Sequence, residues 1–310
     1  MSWLPHLGFV VGVWSAVTLA SPQQQNIEPP PILSVRTDLV TLTVTVVDQR
    51  GRLVTGLGSK DFTVYDNEER QVVQLFSNED LPATIGLVID CSGSTRPRRN
   101  DIAAAGSAFA FISNPVDEFF TLNFNESVWP GLPPGAAFTD DPHLLRAALS
   151  AAPARGMTAL YDAIARALDH VQLGTHDRKA LIVVSDGGDN ASSQKLDDVL
   201  ERARRASAVI YSVALVDPGD HDARPQVLKQ LARETGGRAF TPRRAADVLT
   251  AFEQIAREIR AGYTIGFSPA DTRDGGFHAI RVVADSGGGS QLIVRTRAGY
   301  YAGPPGRTIR

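Results

Sequence analysis

Between Thr84 and Arg260, short apolar runs alternate with stretches of helical periodicity, and this alternation constrains the fold more than any other feature of the chain. The apolar runs are TIGLVID, FFTLNF, ALIVVSDG, AVIYSVAL and the shorter RAF. Continuous apolar runs of this length are typical of strands buried on both faces of a parallel sheet. The pattern therefore predicts an α/β fold, a doubly wound and mostly parallel sheet with helices on both faces. Helices are predicted near 101–112, 142–151, 159–172, 195–205, 225–235 and 245–260.

Two flanking segments have the alternating pattern of half-buried β-strands instead. Apolar and polar residues alternate over Val40–Val46, and shorter β-type pieces follow near Phe62–Tyr65 and Gln71–Phe76. After residue 262 the runs YTIGF, HAIRVVAD and QLIVRTRAGYY return to this pattern. Neither segment is large enough to bury its own apolar face. We therefore predict that residues 34–80 and 263–302 pack together as a small β module, which flanks an α/β domain at 82–262.

The ends of the chain have the composition of targeting and linker segments. The apolar run Leu7–Ala20 is short for a membrane span and typical of a signal peptide, so we predict a signal peptide at 1–20, with an uncleaved anchor as the alternative. Residues 21–33 are rich in Pro and Gln, which predicts a linker. Residues 303–310 are predicted to form a loose tail. These segments predict export to the periplasm, the cell surface or the medium, without a membrane span in the mature chain.

Composition excludes several classes of function. The formal net charge of −3 gives no global basic excess for binding nucleic acid. Cys91 is the single cysteine, so an intrachain disulfide and a multi-cysteine metal site are excluded, and we expect this thiol to be buried. The six histidines show no spacing typical of metal ligands. The oligomeric state is left open by the sequence.

Hydroxyl and carboxylate side chains recur where three predicted loops reach the carboxyl edge of the sheet. Asp90, Ser92 and Ser94 follow the first strand of the α/β domain, Thr158 precedes a helix, and Asp186 ends the ALIVVS strand. Ligands of doubly wound sheets bind at this edge. Two carboxylates and three hydroxyls suit a hard cation, which predicts Mg²⁺, with Mn²⁺ or Ca²⁺ as alternatives, and not zinc.

The three motifs D-x-S-x-S, a distant Thr before a helix, and a later strand-terminal S-D-G together resemble the von Willebrand factor A (VWFA) domain. The order of the predicted elements is similar to that family over roughly residues 82–262. The flanking LVTLTVTVVDQRGRLVTGLGSKDFTVYDN and VRTRAGYYA resemble exported bacterial proteins with a VWFA-related domain, which are frequent in acidobacteria.

The resemblance implies a metal-ion-dependent adhesion site. In the family the two serines, here Ser92 and Ser94, bind the cation directly, and the threonine, here Thr158, binds it directly or through water. The aspartates, here Asp90 and Asp186, bind the cation directly or contact the groups that bind it. Neutral hydroxyls leave much of the ion's charge uncompensated, so an Asp or Glu carboxylate of a protein partner completes the coordination. The implied function is a binding protein and not an enzyme.

Several local alternatives stay open at the level of sequence. The turn at 90–94 could cap the next helix instead of binding a metal, because Ser and Asp are favoured N-cap residues. Asp162 could belong to the rim of the site, although an acid in the first turn of a helix is stabilised by the helix dipole alone. Asp189 and Asn190 are further candidates for the rim. Three neighbouring cations, Arg96, Arg98 and Arg99, could steer an acidic partner or form a solvated helix start.

Two other functions compete with the adhesive one. The metal site could merely stabilise a structural module. A magnesium-dependent phosphatase-like hydrolase is the third hypothesis, since a strand-end aspartate such as Asp90 is typical of aspartyl-phosphate chemistry. Position 92 is a serine where that chemistry uses a second aspartate, and Ser92 lacks the G-x-S-x-G context of hydrolase nucleophiles.

Overall fold

The computed structural model of the chain describes residues 39–151, 155–216, 221–269, 275–287 and 291–302. The predicted signal peptide, linker and tail lie outside these residues. Within the described ranges, no helix combines the length and the apolar character that a bilayer-crossing segment needs.

The described residues form strands β1–β14 and helices α1–α6. The strands are β1 (Val40–Val47), β2 (Phe62–Asp66), β3 (Glu69–Gln71), β4 (Leu75–Ser77), β5 (Ala83–Asp90), β6 (Glu118–Phe124), β7 (Val128–Pro130), β8 (Arg178–Ser185), β9 (Ala208–Ala214), β10 (Ala239–Phe240), β11 (Tyr263–Phe267), β12 (Phe277–Ala284), β13 (Ile293–Arg295) and β14 (Gly299–Tyr301). The helices are α1 (Arg99–Ile112), α2 (Pro142–Ala151), α3 (Leu160–Val171), α4 (Leu196–Arg205), α5 (Pro225–Thr235) and α6 (Ala245–Arg260).

The central sheet has the strand order β10-β9-β8-β5-β6-β7. Its strands run parallel, apart from β7, which pairs antiparallel with β6. Every residue of β5 is buried, as its continuous apolar sequence ATIGLVID predicts. The order of the strands places β5 and β8 side by side in the middle of the sheet.

Helices cover both faces of this sheet. On one face, α1 and α6 share an apolar cluster with β5 and β9, and Phe109 of α1 meets Phe252 of α6 edge to face with ring centroids 6.1 Å apart. On the other face, α3, α4 and α5 form a second apolar cluster that includes Leu160, Val199 and Leu228. The apolar stripe of each helix therefore faces the sheet. This arrangement confirms the predicted doubly wound α/β fold.

Two antiparallel sheets flank the α/β part within the described residues, with strand orders β13-β1-β11-β4 and β14-β12-β2-β3. Strands from the N-terminal segment pair with strands from the C-terminal segment: β1 pairs with β11, and β2 pairs with β12. Leu42 and Val44 of β1, Phe62 of β2, Ile265 of β11 and Val282 of β12 lie in one shared apolar cluster. Both segments thus contribute strands to the same two sheets and side chains to the same apolar cluster.

The run QLIVRTRAGYY does not form one strand. Its first part pairs with β1 as β13, and its last part pairs with β12 as β14, in the other sheet. Between them, Ala298 donates its backbone N–H to the carbonyl of Glu234, and the carbonyl of Ala298 accepts the backbone N–H of Ile280. The chain changes sheets at this point, and hydrophobic period alone does not indicate such a crossing.

Candidate functional site

The carboxyl ends of β5 and β8 bring two of the predicted loops together. The two strands are parallel neighbours, with Ile89 opposite Val184, and they end one residue later at Asp90 and Ser185. The turn after β5 and the S-D-G turn after β8 therefore leave the sheet side by side. This is the edge at which doubly wound sheets bind ligands.

Asp90 lies fully buried beneath the first turn. Its Oδ1 accepts the backbone N–H of Ser92 at 2.8 Å, and its Oδ2 accepts the hydroxyl of Ser185 at 2.7 Å. Burial raises the pKa of the Asp90 carboxyl to about 6, and the nearby charge of Asp186 acts in the same direction against these hydrogen bonds. Asp90 orders the turn from behind and does not line the open cleft above it.

Ser92, Ser94 and Asp186 form a chain of oxygen atoms at the surface of the site. The two serine Oγ atoms are 3.1 Å apart, and the hydroxyl of Ser94 donates to Asp186 Oδ2 at 2.7 Å. The other oxygen of Asp186, Oδ1, accepts the backbone N–H of Gly188 at 2.8 Å. Three of the predicted ligands thus converge, although 92 residues separate Ser94 from Asp186 in sequence.

Thr158 comes to the same cleft from the loop before α3. Asn190 holds this loop, because its side-chain Oδ1 accepts the Thr158 N–H at 2.8 Å and its own N–H donates to the Thr158 carbonyl at 2.9 Å. The hydroxyl of Thr158 makes no hydrogen bond within the described part of the chain, so its oxygen is available to coordinate an ion. Asp189 also lines the cleft and accepts the hydroxyl of Ser192 at 2.6 Å.

Asp162 has a different place. Its carboxylate accepts the backbone N–H of Ser193 at 2.9 Å and that of Gln194 at 3.0 Å, and it does not line the cleft. It therefore ties the first turn of α3 to the loop before α4. The structure brings the other predicted residues to the cleft or, for Asp90, directly beneath it.

The turn does not cap the helix that follows. A short 3₁₀ turn at Arg96–Arg98 intervenes before α1 begins at Arg99, and neither start has a side-chain capping bond. Arg99 points inward: it donates to the sulfur of Cys91 at 3.0 Å and to the carbonyl of Leu149 at 3.1 Å. Cys91 is fully buried, as expected from the sequence. The arginine thus braces the turn against α2.

The cleft has a volume of about 550 Å³ and includes residues that sequence reasoning missed. Met157 and Tyr161 line one part, and Arg224 lines another. Arg224 reaches the site because its backbone N–H donates to the Asp186 carbonyl at 3.1 Å, beside Gly187. Gly187 has φ +86°, and a Cβ there would lie 2.4 Å from the Arg224 carbonyl oxygen. Nothing in the sequence indicates this contact, whereas Ser185 could have been found from its position opposite Asp90 on the neighbouring strand.

The donor atoms present fit a hard divalent cation. They are carboxylate and hydroxyl oxygens, the type that Mg²⁺, Mn²⁺ and Ca²⁺ prefer. Among the described residues no three His, Cys, Asp or Glu side chains cluster as a metal site. The predicted donor set consists of two carboxylates and three neutral hydroxyls. Such a set leaves positive charge on a bound ion, and the open side of the cleft gives an anionic group access to it.

Comparisons with known proteins agree with this fold. A sequence profile of the von Willebrand factor type A domain matches residues 84–255 of the chain. A search of curated protein sequences finds no significant match.

Solved structures share the architecture at low sequence identity. The von Willebrand factor type A protein from Catenulispora acidiphila is 15% identical, with a TM-score of 0.51 over 79% of this chain and 75% of that one. The vWF domain of the type V pili tip protein Mfa5 from Porphyromonas gingivalis is 14% identical, with a TM-score of 0.50 over 58% of this chain and 95% of that one.

Proposed function

This chain belongs to the von Willebrand factor type A domain family, and we propose that it is a binding protein whose divalent cation captures a carboxylate of a protein partner. The observation that carries the proposal is the convergence of the Ser92, Ser94 and Asp186 oxygens, 3.1 and 2.7 Å apart, in an open cleft that Thr158 also lines. We propose Mg²⁺ as the ion, with Mn²⁺ and Ca²⁺ as substitutes that the same oxygens accept.

In this proposal each residue of the chain has a defined task. Ser92, Ser94 and Thr158 hold the ion through neutral oxygens, and Asp186 supplies a negative charge beside them. Asp90 keeps the turn in place through its bonds to the Ser92 N–H and the Ser185 hydroxyl. The bound ion supplies the positive charge that attracts an Asp or Glu side chain of the partner.

Binding is favoured over hydrolysis by the surroundings of Ser92. Its hydroxyl lies beside the hydroxyl of Ser94, at 3.1 Å. A serine nucleophile needs an adjacent base, and a second serine is not one. Arg224 and the exposed Met157 lie in the same cleft and give a partner polar and apolar contacts around its carboxylate. A cell-surface or extracellular location is part of the proposal, because it agrees with the signal-like segment at 1–20.

Capture of the partner is expected to require both the ion and Ser94. The wild-type chain should retain specific proteins from the cell-envelope and secreted fractions in Mg²⁺ and lose them in chelator. Ser94→Ala should fail to retain them in either condition, because it removes one ion ligand from an exposed position without disturbing buried Asp90. Affinity capture followed by mass spectrometry measures this.

Ser193→Ala is the matched control, since Ser193 bonds to Asp162 outside the cleft. It should behave as wild type. Proteins retained equally in Mg²⁺ and in chelator would speak against an ion-bridged partner.

Binding of Mg²⁺ is expected to weaken as the pH falls below about 6, the raised pKa of Asp90. Between the usual carboxyl pKa and about 6, the ion-free folded state binds a proton that the unfolded state does not, so its stability falls as the pH rises through this window. A cation favours the ionised carboxylate and must displace the proton at low pH. The Mg²⁺-induced rise in the urea midpoint should therefore be larger at about pH 7 than at about pH 5. An equal rise at both values would contradict a site coupled to Asp90.

A further inference from the structure

Two neighbouring clefts on either side of Arg238 are lined by positive charge. The first, of about 440 Å³, is lined by Arg50, Arg52, Arg238 and Arg257, and the second, of about 380 Å³, by Lys229, Arg233, Arg238 and Arg295. Glu258 is the single acidic side chain among the lining residues that the structure describes. This concentration of cations contrasts with the formal net charge of −3 of the whole chain. We call these seven Arg and Lys residues the basic cluster.

The fold assembles the basic cluster from distant parts of the chain. Its members come from the turn after β1, from α5, from the residue before β10, from α6 and from β13. Arg238 lies between the clefts, and its guanidinium stacks on the ring of Phe240 at 4.6 Å from the centroid. The cluster therefore exists only in the folded chain and is not a basic run in the sequence.

Three of the seven cations have no acidic partner among the described residues, whereas Arg52 pairs with Asp48 at 2.7 Å and Arg233 with Glu234 at 3.5 Å. Glu258 is only 3% exposed and is already shared by Arg238, at 3.2 Å, and Arg295, at 2.9 Å. Arg50, Lys229 and Arg257 are exposed and form no ion pair with any described carboxylate. Like charges brought together in this way repel each other, and an anionic ligand relieves that repulsion.

We propose that the two clefts bind an extended acidic segment of a partner polypeptide, whose carboxylates meet the guanidinium groups on both sides of Arg238. The planar fork of arginine matches the geometry of a carboxylate and pairs with it through two hydrogen bonds. Two open clefts with a shared wall suit an extended chain that presents several charges along its length.

An acidic peptide fits these clefts better than a single-stranded nucleic acid. Single-stranded nucleic acids depend on aromatic side chains for stacking of their bases. No aromatic ring is among the described side chains that line the two clefts, which offer aliphatic residues such as Leu53 and Val294 between the arginines. The clefts share no described lining residue with the metal-site cleft, so the inference does not depend on the proposed cation.

Fluorescence anisotropy with labelled poly-L-glutamate tests the proposal on the metal-free full chain. Wild type should bind, and binding should weaken between about 50 and about 200 mM NaCl because salt screens exposed charges. Arg50→Glu/Arg257→Glu should lower the affinity by about 10-fold or more, since it replaces two uncompensated cations by anions. The control Lys60→Glu/Arg70→Glu changes the net charge equally at exposed positions outside the clefts and should change the affinity by less than about 2-fold.

Three results would overturn the proposal. They are failure of the wild type to bind poly-L-glutamate, equal losses in the two double variants, and tighter binding of polygalacturonate or a single-stranded oligonucleotide than of poly-L-glutamate. Circular dichroism establishes that both double variants are folded. Ser94→Ala should bind poly-L-glutamate as wild type does, which separates this surface from the metal site.

Discussion

Asp186→Asn is expected to lower the affinity for Mg²⁺ by about 100-fold or more, equivalent to about 2.7 kcal/mol, while the fold persists. The reason is electrostatic. Asp186 lines the cleft beside the serines, with Oδ2 2.7 Å from the Ser94 hydroxyl, while Asp90 lies buried beneath the turn. Asparagine keeps the size of the side chain and an oxygen but removes the negative charge. Isothermal titration calorimetry with MgCl₂ measures the change.

Asp169→Asn is the matched control for this variant. Asp169 lies on α3, is exposed, and pairs with Arg202 at 2.9 Å, so its substitution removes the same charge far from the proposed ion. Its affinity for Mg²⁺ should stay within about 2-fold of wild type, because exposed charges are screened. Equal losses of Mg²⁺ affinity in the two variants would mean that net charge alone causes the effect, which would contradict a local site.

Gly86→Val is expected to destabilise the chain by roughly 3 kcal/mol or more. Gly86 lies in the middle of β5, in the centre of the sheet. A Cβ at this position would lie 2.2 Å from Cζ of Phe120 and 2.7 Å from Cδ2 of Leu181. The Phe120 ring and the Leu181 methyl belong to buried residues of adjacent strands, so relief of the clash requires repacking of the core. Urea unfolding followed by circular dichroism measures the loss.

Gly58→Ala provides the comparison, because Gly58 has the negative φ of −99° and its nearest neighbour to an added Cβ is an Asp61 oxygen at 3.8 Å. It should change the free energy of unfolding by less than about 0.5 kcal/mol. A Gly86→Val protein as stable as Gly58→Ala would mean that the centre of the sheet is packed differently.

The sequence predicts the helices and central strands well because their hydrophobic periods are strong. The structure places α2, α5 and α6 at the predicted residues and begins α1 at Arg99, two residues before the predicted 101. Strand β7 was not predicted, because three residues that end in Pro130 carry no periodic signal. The sheet change between β13 and β14 was missed for a related reason: a crossing is decided by tertiary contacts and not by local pattern.

The proximity of the site residues follows from the fold class, whereas their individual roles do not. Strand ends predict that Ser92, Ser94 and Asp186 share one edge, because parallel strands end together. Sequence does not indicate that Asp90 would be buried behind the serines, or that Asp162 would bond to the loop before α4. Arg224 enters the cleft through a backbone contact that requires Gly187, and such long-range contacts have no local signature.

The central claim is that one divalent cation lies among the oxygens of Ser92, Ser94, Thr158 and Asp186. Anomalous diffraction from crystals grown with MnCl₂ tests it most directly, because the ion is located by its own signal. The account predicts a single strong peak in this cleft, at coordination distance, about 2–2.3 Å, from the hydroxyl oxygens of both serines. A manganese peak at another place, or none in the cleft at saturating ion, would contradict it.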